Sequence, residues 1–523
     1  MDVDKLYSKA YEQLKAGNYD VALELLDEIK QLAPDYKGAY YMEASIWQKF
    51  ENPVKEYCAL EKLLPLLDFS SPEGRKYAAE ILLHIFALCK EGNFPKEGVE
   101  SGLLAMQLEE KYELVEHLDF LIFDMNYSDK YSADDFRTLY DRYRKHLADI
   151  VPYQRKFYSH EKIRVGFMSA EFDLHAAICW MWSLLTKLDK SLFKVYCYSN
   201  VEKPDKVTIH LKSTVENWRD IYDLTDEVAA QLIRDDEIDI LFDLSGHTSG
   251  NRLRVAAYRP ASVQISGIGY ENSTGLNCFD YFLSDIYCAG NDEVMQEYFT
   301  EKIIKLPHSH ICYEPPIKPK IADYPPCLKN GYVTFGSFNN FKKITDSILI
   351  TWKKILDAVP NSRLLLKYKI FGTSDGRNFV GERLKNLGFN LARVEMSGWT
   401  ATHPADYNNV DIALDTFPYT GVTTTLEALY MGVPVVSLYD KRHGTRLGFS
   451  ILKNVGLEEL AVDSYDEYIS RAVALAGDWE LLTILRKNLR TMLKKSPLMD
   501  SESYIREVAG AFIKILNDER KIF

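Results

Sequence analysis

The chain has 523 residues, more than one compact core accommodates, so two or three domains are expected. Its 46% hydrophobic and 27% charged residues match a globular protein and exclude wholesale disorder. A net charge of −13 excludes a broad nucleic-acid footprint but leaves room for a small basic pocket that takes a phosphate.

The N-terminal MDVDKLYSKAYEQL is acidic and amphipathic, without the basic-then-apolar pattern of a secretory leader. The longest apolar stretch, Ile81 to Cys89, is interrupted by His84 and is too short to span a bilayer. Eight cysteines are scattered singly, with no CxxC and no zinc spacing. They read as reduced thiols, so the expectation is a cytoplasmic protein with no membrane span and no metal.

Residues 1–150 read as helices only. Ala10, Gly17, Tyr19, Ala22, Leu32 and Pro34 have the offsets of a tetratricopeptide repeat, whose period is about 34. A second, degraded copy from about Lys37 keeps Ala44, and EGNFPKEG (91–98) suggests a third. Stacked helix pairs of this kind make concave surfaces suited to peptides.

At about Glu161 the pattern changes. IRVGFMS, VYCYSN, IDILFDLSG, SVQISGIG and YFLSD are short β-branched or aromatic runs separated by helical stretches, which predicts parallel α/β layers over 160–318. A proline-rich linker (316–330) follows. YVTFGSFNN, SRLLLKYK, ARVEMSG, VDIALDT and PVVSLYD then repeat the alternation over 330–500, and 501–523 reads as a C-terminal helix. Two successive Rossmann-like units would place one cleft at the carboxyl ends of their strands.

Three segments carry chemistry. In DTFPYTGVTTTLEALYMGVPVV (415–436) a strand runs through a turn into a helix that opens on Thr423, Thr424 and Thr425. Gly421 permits close backbone approach, the helix start suits a diphosphate, and Glu427 is placed to accept from ribose hydroxyls. In FGSFNNFKKIT (335–345), Lys342 and Lys343 follow a strand, where an ammonium can stabilise a leaving diphosphate. In MSAEFDLHAAICW (168–180), His175 follows the first strand and can hydrogen-bond a bound substrate or act as a base. His247, in DLSGHT, is a further candidate of the same kind. No GxGxxG follows a strand and no P-loop is present, which disfavours dinucleotide oxidoreductases and NTPases. The one DxD, Asp2-Val3-Asp4, lies outside the α/β region, so lysine and helix amides must take the place of a metal clamp.

These segments, with RPASVQISGIGYENSTGLNCFDYFLSD, LPHSHICYEPP and RHGTRLGFSIL, resemble the O-GlcNAc transferase and SPINDLY family, glycosyltransferase family 41. The resemblance implies a GT-B fold, two facing Rossmann-like lobes, preceded by a tetratricopeptide-repeat domain. It implies an inverting, metal-independent transfer of GlcNAc from UDP-GlcNAc to Ser or Thr of a protein acceptor, with no cofactor. A bacterial chain with so short a repeat array would suit flagellin or another surface protein as acceptor. Residue by residue, His175 matches the active-site histidine proposed as base or as orienting group, and Lys343 the lysine on the diphosphate. Asn340 matches an amide residue beside that lysine, Thr423 and Thr424 the phosphate-binding threonines, Glu427 the ribose-binding acid, and His403 a histidine near the base. Thr400 stands where animal members carry a nucleoside-contacting lysine. FPYTGVTTTLEALYMG looks more like the SPINDLY and bacterial branch than the animal one, and SPINDLY uses GDP-fucose, so GDP-fucose or another UDP-hexose is the alternative donor. An inactive repeat scaffold is the other alternative.

Overall fold

In the computed structural model, which describes residues 2–92 and 97–522, the chain groups into two compact units. One comprises 1–117, 340–342 and 368–389, and the other holds the remainder.

The smaller unit is built from helix pairs. Helix Val3–Ala16 ends at Gly17, whose left-handed backbone (φ 79°) lets the chain turn at once into Tyr19–Leu32. Ala10 and Ala22 are fully buried with Leu26 and Ile29, because only methyl-sized groups let the two helices approach this closely. Lys37–Lys49 and Pro53–Leu63 form the next pair, the latter started by Pro53 and capped by Asn52. Ala44 is 2% exposed there, at the small-residue position expected of the second copy. Pro72–Gly92 and Glu97–Leu108 follow; the centre of the suggested third motif lies outside the described residues. Segment 368–389, which in sequence falls between two strands of the second α/β region, contributes helix Ser374–Asn386. Its Asp375 accepts from Asn52 at 2.8 Å.

The larger unit contains two parallel sheets. In the first, β1 (Ile163–Ser169), β2 (Phe193–Ser199), β3 (Asn217–Asp220), β4 (Ile240–Asp243), β5 (Val263–Gly267), β6 (Tyr281–Asp285) and β7 (Lys302–Leu306) take the order β3-β2-β1-β4-β5-β6-β7. In the second, β8 (Thr334–Ser337), β9 (Arg363–Lys367), β10 (Val394–Ser397), β11 (Ile412–Leu414), β12 (Val435–Leu438) and β13 (Ala461–Val462) take the order β10-β9-β8-β11-β12-β13. The near-continuous apolar runs of central strands such as β4 and β12 follow from burial on both faces, whereas the edge strands β3 and β10 are partly exposed. Strand order reverses between β1 and β4, and again between β8 and β11. A ligand crevice forms at such a switch point, and the segments after these four strands include His175, His247, Lys343 and Thr423–Thr425.

Helix Ser501–Ile522 crosses back to the first sheet, with the Phe512 ring 6.5 Å from Phe193 and 6.1 Å from Phe242. Helices Val115–Met125 and Ala133–Lys145, expected with the repeats over 1–150, instead contribute most of their length to the larger unit. Their buried tyrosines and acids face the first sheet; Tyr140, for example, donates to the Ser273 carbonyl at 2.9 Å. Among the described residues no helix is long and apolar enough to cross a membrane.

Candidate active site

Asp415, at the end of β11, shapes the phosphate side of the site. Its Oδ1 accepts the amides of Thr416 (2.9 Å) and Gly421 (2.8 Å), and its Oδ2 accepts the Ser437 hydroxyl at 2.7 Å. Burial pushes this carboxyl up to about 6, partly offset by those donors and by Lys343. The folded loop delivers the chain to helix Thr423–Tyr430, whose first turn no side chain caps. Its leading amides and positive dipole end are therefore left for an anion. A Cβ on Gly421 would collide with Thr424 Oγ1 and come within 2.9 Å of Thr425 Oγ1, so the turn requires glycine. Thr424 Oγ1 donates to Asn339 Oδ1 at 3.0 Å, and both residues line a small pocket with Gly336, Phe338 and Asp415. Thr425 is buried within the turn.

Lys343 is partly buried, with Nζ 4.5 Å from the Tyr419 ring centroid and 6.0 Å from that of Tyr127. Burial pulls its ammonium down to about 8, while Asp415 and Glu271 favour the charge. A weakly hydrated cation against aromatic faces is prepared for an incoming anion. Glu427 is 5% exposed and pairs with His403 Nε2 at 3.0 Å; His403 in turn lies 5.6 Å from the half-exposed Trp399 ring. Asn340 falls in the smaller unit, where its Oδ1 accepts the Lys342 amide at 3.1 Å.

From the first lobe, His175 is 49% exposed, with Nδ1 3.5 Å from Glu171 and 3.3 Å from the Ala177 amide. Thr423 Oγ1 reaches the carbonyl of Ala176 at 3.5 Å, so the His175 loop adjoins the start of the phosphate helix. His247 sits differently. It is 1% exposed, and its Nδ1 pairs with Asp119 at 2.6 Å while Nε2 lies 2.8 Å from the Thr274 carbonyl. Both ring nitrogens are consumed in the core, so no proton-transfer face remains. Asp119→Ala would leave that nitrogen unsatisfied and should cost about 1–3 kcal/mol, read as a lower melting temperature with nucleotide affinity unchanged.

Sequence reasoning passed over Tyr127, Tyr419, Asn339, Asp415 and Glu171. Tyr419 and Asp415 lie inside the 415–436 motif. An acid four residues before His175 on one short segment was the signal for Glu171. Tyr127 carries none, because it follows a helix far away in sequence.

Two parallel α/β lobes, with an uncapped helix start in one and a histidine loop beside it from the other, define a GT-B-type glycosyltransferase fold. The model of glycosyl transferase family 41 matches residues 145–314 and 324–508, and the chain belongs to that family. The probable UDP-N-acetylglucosamine–peptide N-acetylglucosaminyltransferase SPINDLY of Hordeum vulgare is 39% identical over 402 residues, covering 74% of this chain and 42% of that protein. The corresponding probable enzyme SEC of Arabidopsis thaliana is 28% identical over 376 residues, 68% of this chain and 37% of that one. The chain thus spans less than half the length of these curated relatives. A lysine-to-methionine mutant of the O-GlcNAc transferase of Thermobaculum terrenum superposes with a TM-score of 0.78 at 29% identity, covering 99% of this chain and 98% of that one.

Proposed function

We propose that this chain is an inverting protein O-glycosyltransferase that moves GlcNAc from UDP-GlcNAc to Ser or Thr of a protein acceptor in the cytoplasm. The observation that carries the reading is the uncapped start of Thr423–Tyr430, with Thr423 against the His175 loop of the other lobe. In this reading the diphosphate lies on the first-turn amides and on the Thr423 and Thr424 hydroxyls, and Lys343 meets the charge that develops as it leaves. Glu427 accepts from the ribose, held in place by His403. His175 faces the sugar and the acceptor hydroxyl, as base or as orienting group.

The plant relatives, named as probable UDP-N-acetylglucosamine–peptide N-acetylglucosaminyltransferases, support this donor and a peptide acceptor, and the Thermobaculum O-GlcNAc transferase supports the sugar. Eight cysteines, none in a disulfide, suit a reducing compartment. Lysine and amides replace a divalent clamp at the diphosphate, so turnover should not rise when Mg²⁺ or Mn²⁺ is added. The test is incubation with UDP-GlcNAc, other UDP-hexoses and GDP-fucose, reading nucleotide release and the mass added to protein. UDP-GlcNAc should give the fastest release and a HexNAc increment. A preference for GDP-fucose would reassign the donor, and release from none would leave the chain a scaffold.

A further inference from the structure

A second set of titratable groups lies where the two lobes meet, and apart from the field of Glu271 at Lys343 the transfer reaction as read above does not use it. Glu271 follows β5, His310 follows β7 and His443 follows β12, and these residues are 1%, 1% and 2% exposed. One potential ligand atom from each lies within 4.8 Å of the others. Groups this deeply buried need a compensating partner.

The outer nitrogen of each ring is already fixed. His310 Nδ1 lies 2.6 Å from Asp285 Oδ2, and that carboxylate is anchored through Oδ1 by the amides of Tyr287 and Cys288. His443 Nε2 lies 2.7 Å from Ser284 Oγ. In the tautomer in which the rings donate these outer bonds, the inner nitrogens carry lone pairs toward Glu271. The Glu271 carbonyl, an acceptor 3.2 Å from His443 Nδ1, favours a proton on that nitrogen until an ion displaces it. The inner distances differ in kind. His310 Nε2 is 3.4 and 3.3 Å from the two Glu271 oxygens, and His443 Nδ1 is 3.3 Å from Glu271 Oε2 and 3.2 Å from the Glu271 carbonyl. A buried charge-assisted hydrogen bond closes to about 2.7–2.9 Å, as His310 does with Asp285. The two spacings to Glu271, ~3.3 Å, match the edge of a tetrahedron whose arms are about 2.0–2.1 Å, the lengths of zinc bonds to imidazole and carboxylate, and the two histidine nitrogens lie within 4.8 Å of each other.

We propose that Glu271, His310 and His443 bind a divalent transition-metal ion of the zinc class that clasps the two lobes, with Asp285 and Ser284 orienting the imidazoles. Carboxylate and imidazole ligands with hydrogen-bonded outer nitrogens are the donor set such an ion takes. Its role is structural, apart from the diphosphate. A proton is the competing occupant. Burial disfavours charge on His310, but Glu271 and Asp285 outweigh it and raise this imidazole above its ordinary range, while burial pushes His443 down to about 4.

Tag-free full-length protein from zinc-supplemented medium, purified without chelator, should carry about one zinc per chain by elemental mass spectrometry. His443→Ala should lower that content at least about tenfold, whereas His308→Ala, outside the cluster, should keep it. Because losing a clasp can also unfold the chain, wild-type protein grown in cobalt gives a second reading, the visible absorption of tetrahedral Co²⁺. Wild-type protein with under about a tenth of an equivalent of zinc and no cobalt band would overturn the proposal and leave a proton-held ion pair.

Discussion

Lys343→Ala should lower kcat by about two to three orders of magnitude, the scale of removing one group that stabilises developing charge in a dry site. The leaving nucleoside diphosphate gains negative charge as the sugar bond breaks, and Lys343 is the cation that lies against Tyr419 and Tyr127. Because the ammonium is already stripped of much of its water, its attraction to the new charge is not spent on desolvation at the moment of reaction. Nucleotide affinity should suffer less, since the helix amides remain. The pH dependence has a fixed sign. In the empty site Lys343 titrates at about 8, so it is charged below that pH and neutral above it. UDP affinity should hold through neutrality and fall as pH rises past about 8, and the Lys343→Ala protein should lose this limb. Calorimetry from pH 6 to 9 reads it, and a folded Lys343→Ala protein with normal turnover would sink the assignment.

Glu427→Ala should weaken UDP itself by about ten- to a hundredfold, the worth of a charge-assisted hydrogen bond. Its carboxylate is buried and aligned by His403, so the ribose meets a prepared acceptor. His175→Ala should do the reverse and leave UDP affinity nearly intact while turnover falls by about 10²–10⁴, the range of an acid–base or orienting group. Calorimetry and initial rates on both variants, each with a melting curve, separate the two ends of the site. If His175→Ala lost UDP binding and Glu427→Ala kept it, the two lobes would have been assigned in reverse.

Much of this was legible because the signals are local. Short apolar runs alternating with helical stretches marked both parallel sheets. Three threonines after a Pro-Tyr-Thr-Gly turn marked the anion-binding helix start, since the strand, turn and helix are contiguous. What stayed hidden depends on contacts between distant segments. Tyr127, just past helix Val115–Met125, reaches Lys343, and Asp119 within that helix reaches His247, though the helix's own pattern reads as part of the repeats. His247 was ambiguous for a further reason. A histidine on a glycine turn after a buried strand looks alike whether it faces a cleft or the core. Here Gly246 takes φ 53° beneath Tyr270, whose Cβ would lie 2.5 Å from any added side chain, and the ring is carried inward to Asp119. Segment 368–389 shows the same limit, because Asn52 and Asp375 are 323 residues apart in sequence.

The central claim, that the start of helix Thr423–Tyr430 and Lys343 together hold a nucleotide diphosphate, is tested most directly by a crystal structure with UDP. The account predicts phosphate oxygens within hydrogen-bond reach of the Thr423 and Thr424 amides or hydroxyls and of Lys343 Nζ, with the ribose on Glu427. UDP bound elsewhere on the chain, or phosphates turned away from both Lys343 and this helix start, would contradict it.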